Sequence, residues 1–122
     1  GVIHMRDYRM YILVNEDIKI SKGKLAGQVG HAVMSYVYHR IIKPIQERKE
    51  YESLDEYMAE QKKIILKCPQ WKLEELEHEG GYFVIRDKGY TQLEPNTLTC
   101  VNFGIHTPEE LPDWVKELKL YT

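Results

Sequence analysis

Two stretches of this sequence combine residue types that could act on a polar bond. The first is Ser21-Lys22-Gly23-Lys24-Leu25-Ala26-Gly27-Gln28-Val29-Gly30-His31. Lys24, Gln28, His31 and Ser35 recur at i, i+4, i+7 and i+11, so a helix would place a cation, an amide, an imidazole and a hydroxyl on one face. Such a row can stabilise developing negative charge, orient a water and carry a proton. It reads equally as a solvated helix face, although those favour Lys and Glu over an uncharged Gln-His-Ser run. Gly27 and Gly30 each weaken a free helix by up to about 1 kcal/mol. They make sense if another element or a ligand comes close to the backbone there. The second stretch is Arg86-Asp87-Lys88-Gly89-Tyr90-Thr91-Gln92, followed by Leu93-Glu94-Pro95. Polar residues at a strand end and in the next loop are where α/β folds place ligands. The alternative is a plain turn in which Asp87 and Thr91 bond their own backbone.

Those side chains need elements to hold them. Tyr8–Val14 is apolar and rich in β-formers, which predicts a strand covered on both faces. Leu25, Val29, Ala32, Val33, Tyr36 and Val37 form an apolar helix face distinct from the polar row. Pro44 should end or kink that helix, and 45–51 reads as irregular or frayed. Ser53-Leu54-Asp55-Glu56 is a capping box, predicting a helix to about Glu60. Lys63–Lys67 reads as a strand, Gln70–Glu79 as a short amphipathic helix stopped by Gly80-Gly81, and Tyr82–Arg86 as a strand. Asp87–Asn96 is a loop, and Leu98–Phe103 is a fourth strand. Thr107, Pro108 and Glu110 announce a helix start, with a second segment over Asp113–Leu118 after Pro112. The order predicts a three-layer α/β/α sandwich around a mixed four-stranded sheet, with the Leu25/Val29/Ala32/Tyr36 side of the long helix against it.

Composition sets the bounds. A chain of 122 residues is one domain by size and can bury a core without disulfides. The hydrophobic share of 43% against 30% charged residues fits a globular protein rather than a disordered one. The apolar runs are too short to span a bilayer, and no secretory signal pattern is present. Gly1-Val2-Ile3-His4 ahead of Met5 reads as a cloning remnant, leaving a single domain over 5–122. With 17 basic and 19 acidic residues the net charge is −2, so any contact with nucleic acid must use a local basic patch. Cys68 and Cys100 lack metal-ligand spacing and read as reduced, half-buried thiols of a cytoplasmic protein. There is no nucleophile elbow, no phosphate-binding Walker loop and no H-E-x-x-H pair.

Taken together and in this order, the two stretches resemble the type 2 peptidyl-tRNA hydrolase family of archaea and eukaryotes. Its G-K-x-A-x-Q-x-x-H-A helix start is read here as Gly23-Lys24-Leu25-Ala26-Gly27-Gln28-Val29-Gly30-His31-Ala32. Its D-x-G-x-T-Q-x-x-P segment is read as Asp87-Lys88-Gly89-Tyr90-Thr91-Gln92-Leu93-Glu94-Pro95. The Pro108–Leu111 helix start and the terminal Leu118–Tyr121 run also match, so the likeness spans Tyr8 to Tyr121. Four positions depart from the pattern. Tyr90 and Asn15 stand where the family usually has arginine, Asn96 where it has glycine, and Lys88 where it has a small residue.

The resemblance implies cleavage of the ester between a peptide and the 3′-terminal ribose of tRNA, with no cofactor and no metal. It implies that Lys24, Gln28, His31, Asp87 and Thr91 are the catalytic set. Asp87 would orient or deprotonate water, and Lys24 would stabilise the oxyanion or hold a phosphate. Gln28 and Thr91 would position water and ester, while His31 would carry a proton or simply pack. Lys19, Lys22, Lys24, Arg86 and Lys88 would rim the tRNA site, and Tyr90 would stack on a base or ribose, or anchor the loop. Loss of two cations implies a weaker grip on RNA. The partner is then peptidyl-tRNA, with no membrane, and a homodimer is expected from the family's habit. The rival readings are a non-catalytic tRNA-binding or regulatory module of the same fold, or hydrolysis of another acyl ester.

Overall fold

The computed structural model describes residues 6–45, 52–89 and 93–122. Strand β1, Arg9–Asn15, lies inside a four-stranded mixed sheet. It pairs in parallel with β2, Lys63–Cys68, and antiparallel with β4, Leu98–His106. Strand β3, Phe83–Arg86, closes the sheet against β4, giving the order β2-β1-β4-β3.

The run Met10–Asn15 is buried throughout, because the sheet is covered on both sides. Met10, Ile12 and Val14 point to one face, and Tyr11 and Leu13 to the other, as the two-residue period of a strand demands. On the first face lie α1, Lys22–Tyr36, and α3, Glu52–Glu60, meeting the sheet through Leu25, Val29, Ala32, Val33, Tyr36, Leu54 and Tyr57. On the second lie α4, Gln70–Glu79, and α5, Asp113–Lys116, through Leu73, Leu76 and Val115. The expected three-layer sandwich is therefore present, with the expected side of α1 on the sheet. Fully buried Ile12, Leu13 and Val14 contribute about 1.5–3 kcal/mol each.

Several local expectations change. Helical turns continue through Pro44, which was expected to end or kink the helix: α1 passes into a π-helical stretch, Val37–Ile42, and then α2, Lys43–Ile45, which borders the residues left undescribed. The Lys43 N–H reaches back to the Tyr38 carbonyl, a wider turn that suits a proline lacking N–H and crowding the carbonyl four before it. Residues 46–51 fall outside the described residues, and Ser53, expected just ahead of the helix, is a helical residue of α3. The strand read as Leu98–Phe103 runs on to His106. Two register shifts make this possible, with Thr99 and Phe103 as extra residues in the ladder. Gly104, at φ +108°, follows the second of them, in backbone only glycine adopts freely. After Thr107 the chain makes a 3-10 turn, Pro108–Glu110, in which the Glu110 carboxylate accepts from the Thr107 N–H at 3.2 Å. The segment after Pro112 is shorter than the predicted Asp113–Leu118, because the chain leaves the helix to run along β2. Cys68 and Cys100 are free and fully buried rather than half-buried, and burial pushes both thiols up to about 12.

Candidate active site

α1 crosses the sheet face near the end of β3, which brings the two chemistry-bearing stretches together. Lys24 Nζ lies 2.6 Å from Asp87 Oδ1. Gln28 Nε2 donates to the same oxygen at 3.3 Å, and the Gly89 N–H donates to Oδ2 at 2.8 Å. The Asp87 side chain is only 4% exposed and Lys24 is 17% exposed, so the pair is largely withdrawn from water. The Lys24 hydrogen bond is the main reason the Asp87 carboxyl is held below its ordinary value; burial opposes it, and the Gly89 N–H and the His31 ring reinforce it. Asp87 is thus ionised at neutral pH and weakly basic.

The cluster sits in an open groove of about 700 Å³ between α1 and β3, whose α1 wall carries Lys24, Gln28, His31 and Ser35 in the order their spacing implied. Gln28 is buried and His31 is exposed. The polar row is therefore the wall of a groove rather than a plain solvated face, and His31 is not a packed helix residue. Beneath the row, Thr99 Oγ1 lies 2.7 Å from Gln28 Oε1 and 3.1 Å from the Ile85 carbonyl. Hydroxyl and carboxylate together hold the Gln28 amide with its NH₂ toward Asp87. Thr99 escaped the sequence reading because a threonine in an apolar strand reads as a β-former. The only hint was its place one turn of the pleat from the groove, which requires the bulge to be known.

The chain matches the family model described as peptidyl-tRNA hydrolase PTH2 over residues 8–121. It is 38% identical over 122 residues to a protein named peptidyl-tRNA hydrolase from Saccharolobus solfataricus, covering 92% of this chain and 98% of that one. A protein of the same name from Thermoplasma volcanium is 36% identical, covering 92% and 97%, and one from Methanopyrus kandleri is 35% identical, covering 93% and 97%. The chain belongs to the PTH2 peptidyl-tRNA hydrolase family.

Set against the PTH2 motif positions, the site residues divide into three groups. Lys24, Gln28, His31 and Asp87 converge on the groove. Tyr90 and Thr91 lie outside the described residues. The basic rim is uneven. Lys88 is exposed on the groove, and Lys19 and Lys22 are exposed beside the start of α1. Arg86, by contrast, forks onto Glu77 of α4 at 2.6 and 3.0 Å and gives Nη1 to the Asn96 carbonyl at 2.7 Å. Its charge is already compensated, and the ion pair lowers the Glu77 carboxyl as well.

Asn15, which stands where PTH2 members usually have arginine, is fully buried. Its Nδ2 donates to the Leu98 carbonyl at 2.8 Å and to Gln70 Oε1 at 3.1 Å, and its Oδ1 accepts from the Asp17 N–H at 2.9 Å. It joins the ends of β1 and β4 to the start of α4. Among the described residues nothing lies within 4 Å of the Cβ positions of Gly27 and Gly30, so no described element makes the close approach that those glycines were expected to serve.

Proposed function

We propose that this chain hydrolyses the ester between a peptide and the 3′-terminal ribose of tRNA, releasing free tRNA and free peptide. The observation that carries the reading is the Asp87 carboxylate held by Lys24, Gln28 and the Gly89 N–H at the mouth of an open groove, in a chain with PTH2 likeness along nearly its whole length. An ester needs a directed water, a partner for the carbonyl oxygen as it gains charge, and help for the leaving ribose oxygen.

Asp87 orients rather than deprotonates, because a carboxylate made this weakly basic takes a proton from water poorly. Oδ2, with one donor among the described residues, keeps a lone pair for a water hydrogen. Lys24 has N–H groups left for the oxyanion, and fixing it on Asp87 means little reorganisation as charge develops. Gln28, locked by Thr99, holds Asp87 in place. His31, exposed on the same wall, moves a proton between water and the ribose oxygen. Thr91 completes the ester-positioning set, and Lys19, Lys22, Lys88 and Tyr90 hold the RNA end, while Arg86, its charge taken up by Glu77, adds little to that grip. The protein acts in the cytoplasm and pairs as a homodimer. Light scattering at the monomer mass would refute the second point.

The test is cleavage of peptidyl-tRNA by the purified chain, run with and without a chelator, alongside Asp87→Asn. The expected result is turnover that survives chelation and falls roughly a hundredfold in single-turnover rate for Asp87→Asn, which loses the charge that fixes Lys24 and directs the water, with near-normal tRNA binding. Binding without cleavage in the unmodified protein would instead establish a tRNA-binding module.

A further inference from the structure

We propose that the free edge of β3 binds the peptide part of the substrate as an added extended strand, through main-chain hydrogen bonds from Val84 and Arg86. The proposal rests on the hydrolase reading and extends it to the half of the substrate that the Lys24–Asp87 cluster does not touch.

The backbone direction of β3 follows from its ends. The Asp87 N–H donates to the Thr97 carbonyl at 2.8 Å, and the Asp87 carbonyl accepts from the Asn96 N–H at 2.6 Å, both on the β4 side. Extended chain alternates, so Ile85 and Phe83, which register with Cys100 and Asn102, also turn their main-chain groups to β4. The N–H and carbonyl groups of Val84 and Arg86 then face away from the sheet. β3 is the last strand of the sheet, and among the described residues no backbone group reaches Val84 or Arg86 from that side. The opposite edge is treated differently. There the Lys67 N–H bonds to the Lys119 carbonyl at 2.8 Å and the Tyr121 N–H to the Ile65 carbonyl at 2.9 Å, so the C-terminal residues cover β2. Among the described residues one edge is covered and the other is left unpaired beside the reactive cluster, which makes that edge the place for an added strand.

The open edge is continuous with that cluster. The groove runs along β3 from Val84 to Lys88 and reaches Asp87 and Lys24 at one end. Val84 packs its side chain against the α4/α5 core, and Arg86 binds Glu77 with its guanidinium. What these two residues present to the groove is therefore main chain. Across from them, Met34 and Tyr38 are 58% and 49% exposed, an apolar shelf that accepts varied side chains. Main-chain pairing reads no sequence, which suits a substrate whose peptide can be anything. A strand rises about 3.3 Å per residue, so Val84 and Arg86 grip a peptide segment of roughly three residues and nothing beyond it.

The experiment uses the unmodified protein and N-acetylated oligoalanyl-tRNAs of increasing length on one tRNA. kcat/KM should rise over about the first three residues, roughly two- to tenfold for each main-chain hydrogen bond gained, and then level off. In the longest substrate, methylating a single peptide nitrogen should lower kcat/KM by a similar factor at alternate residues and leave the ones between unaffected. A profile flat in length, or N-methylation that matters at no position or equally at all, overturns strand docking while leaving the hydrolase reading in place. Failure to cleave any member of the series overturns the hydrolase reading and this proposal with it.

Discussion

The Lys24–Asp87 contact makes a definite statement about acid behaviour. A carboxylate whose folded pKa lies below its unfolded value stabilises the fold fully above the ordinary carboxylate range. That contribution is lost only as pH falls through the lower folded value. Removing the Lys24 charge deletes the main cause of the depression and leaves burial opposed only by the Gly89 N–H and the His31 ring. Lys24→Met should therefore raise the Asp87 carboxyl pKa above that of the unmodified protein, read by carbon-13 NMR titration. An unchanged titration would mean that Gln28 and Gly89, not Lys24, hold the charge. Thr99 offers a second test. Thr99→Val keeps the shape but leaves the buried Gln28 oxygen without its hydroxyl donor, which costs about 1–3 kcal/mol. Urea unfolding should show that loss, single-turnover cleavage should slow with it, and Thr99→Ser should restore both. Of these residues the sequence disclosed Lys24, Gln28 and Asp87, because helical spacing and motif carry them. Thr99 was hidden because its role depends on a bulge in β4 that no local pattern marks.

At the scale of elements, the glycines separate into two kinds. Gly89 has φ +80°, and a Cβ there would meet Pro95 atoms at 2.7–2.9 Å, two of them backbone. Gly89→Ala must distort the loop that points an N–H at Asp87, so cleavage should fall at least tenfold with a stability loss of about 1–3 kcal/mol. Gly27 and Gly30 stand in helix with no described residue against their Cβ positions. Alanine at either should stabilise the protein by roughly 0.4–1 kcal/mol. If the same alanines weaken tRNA binding, these glycines serve the substrate; unchanged binding would leave them without a function. The elements themselves were readable wherever one period dominated: β1, α1 and α4 follow their apolar spacing closely. What failed was read from residue type alone. Pro44 reads as a stop or a kink, yet helical turns run through it after a π stretch. The Asn102-Phe103-Gly104 run reads as a strand end, yet Asn102 bonds the Ala32 carbonyl of α1 at 3.1 Å and the ladder continues through Gly104. Asn15 reads as a missing cation, yet its environment is a buried joint set by residues distant in the chain.

For the whole molecule, a net charge of −2 means that any hold on RNA comes from arrangement rather than surplus. Two of the cations expected at the rim are already committed, Lys24 to Asp87 and Arg86 to Glu77. Lys19, Lys22 and Lys88 have no ion pair among the described residues and are exposed, Lys88 on the groove and the other two at and before the start of α1. Each single-stranded phosphate neutralised adds about 0.7 to the slope of log affinity against log salt. Three lysines on the tRNA end thus predict a slope near −2, about 0.7 shallower for Lys88→Ala. Arg86 gives the discriminating case, because its partner lies nine residues earlier on α4 and can be removed separately. The Arg86–Glu77 pair is on the surface, where such pairs contribute about 0–1 kcal/mol, so Glu77→Gln should leave the fold intact. It frees the guanidinium on the α4 side of the β3 edge, beside the groove, and should tighten tRNA binding with a slope steeper by up to about 0.7. A binding titration over a range of salt concentrations reads both quantities. If Glu77→Gln leaves affinity and slope unchanged while Lys88→Ala reduces them, the RNA passes on the α1 side of the groove and never reaches Arg86. If both variants are silent, the phosphates lie elsewhere on the molecule and the rim drawn from Lys19, Lys22 and Lys88 is wrong.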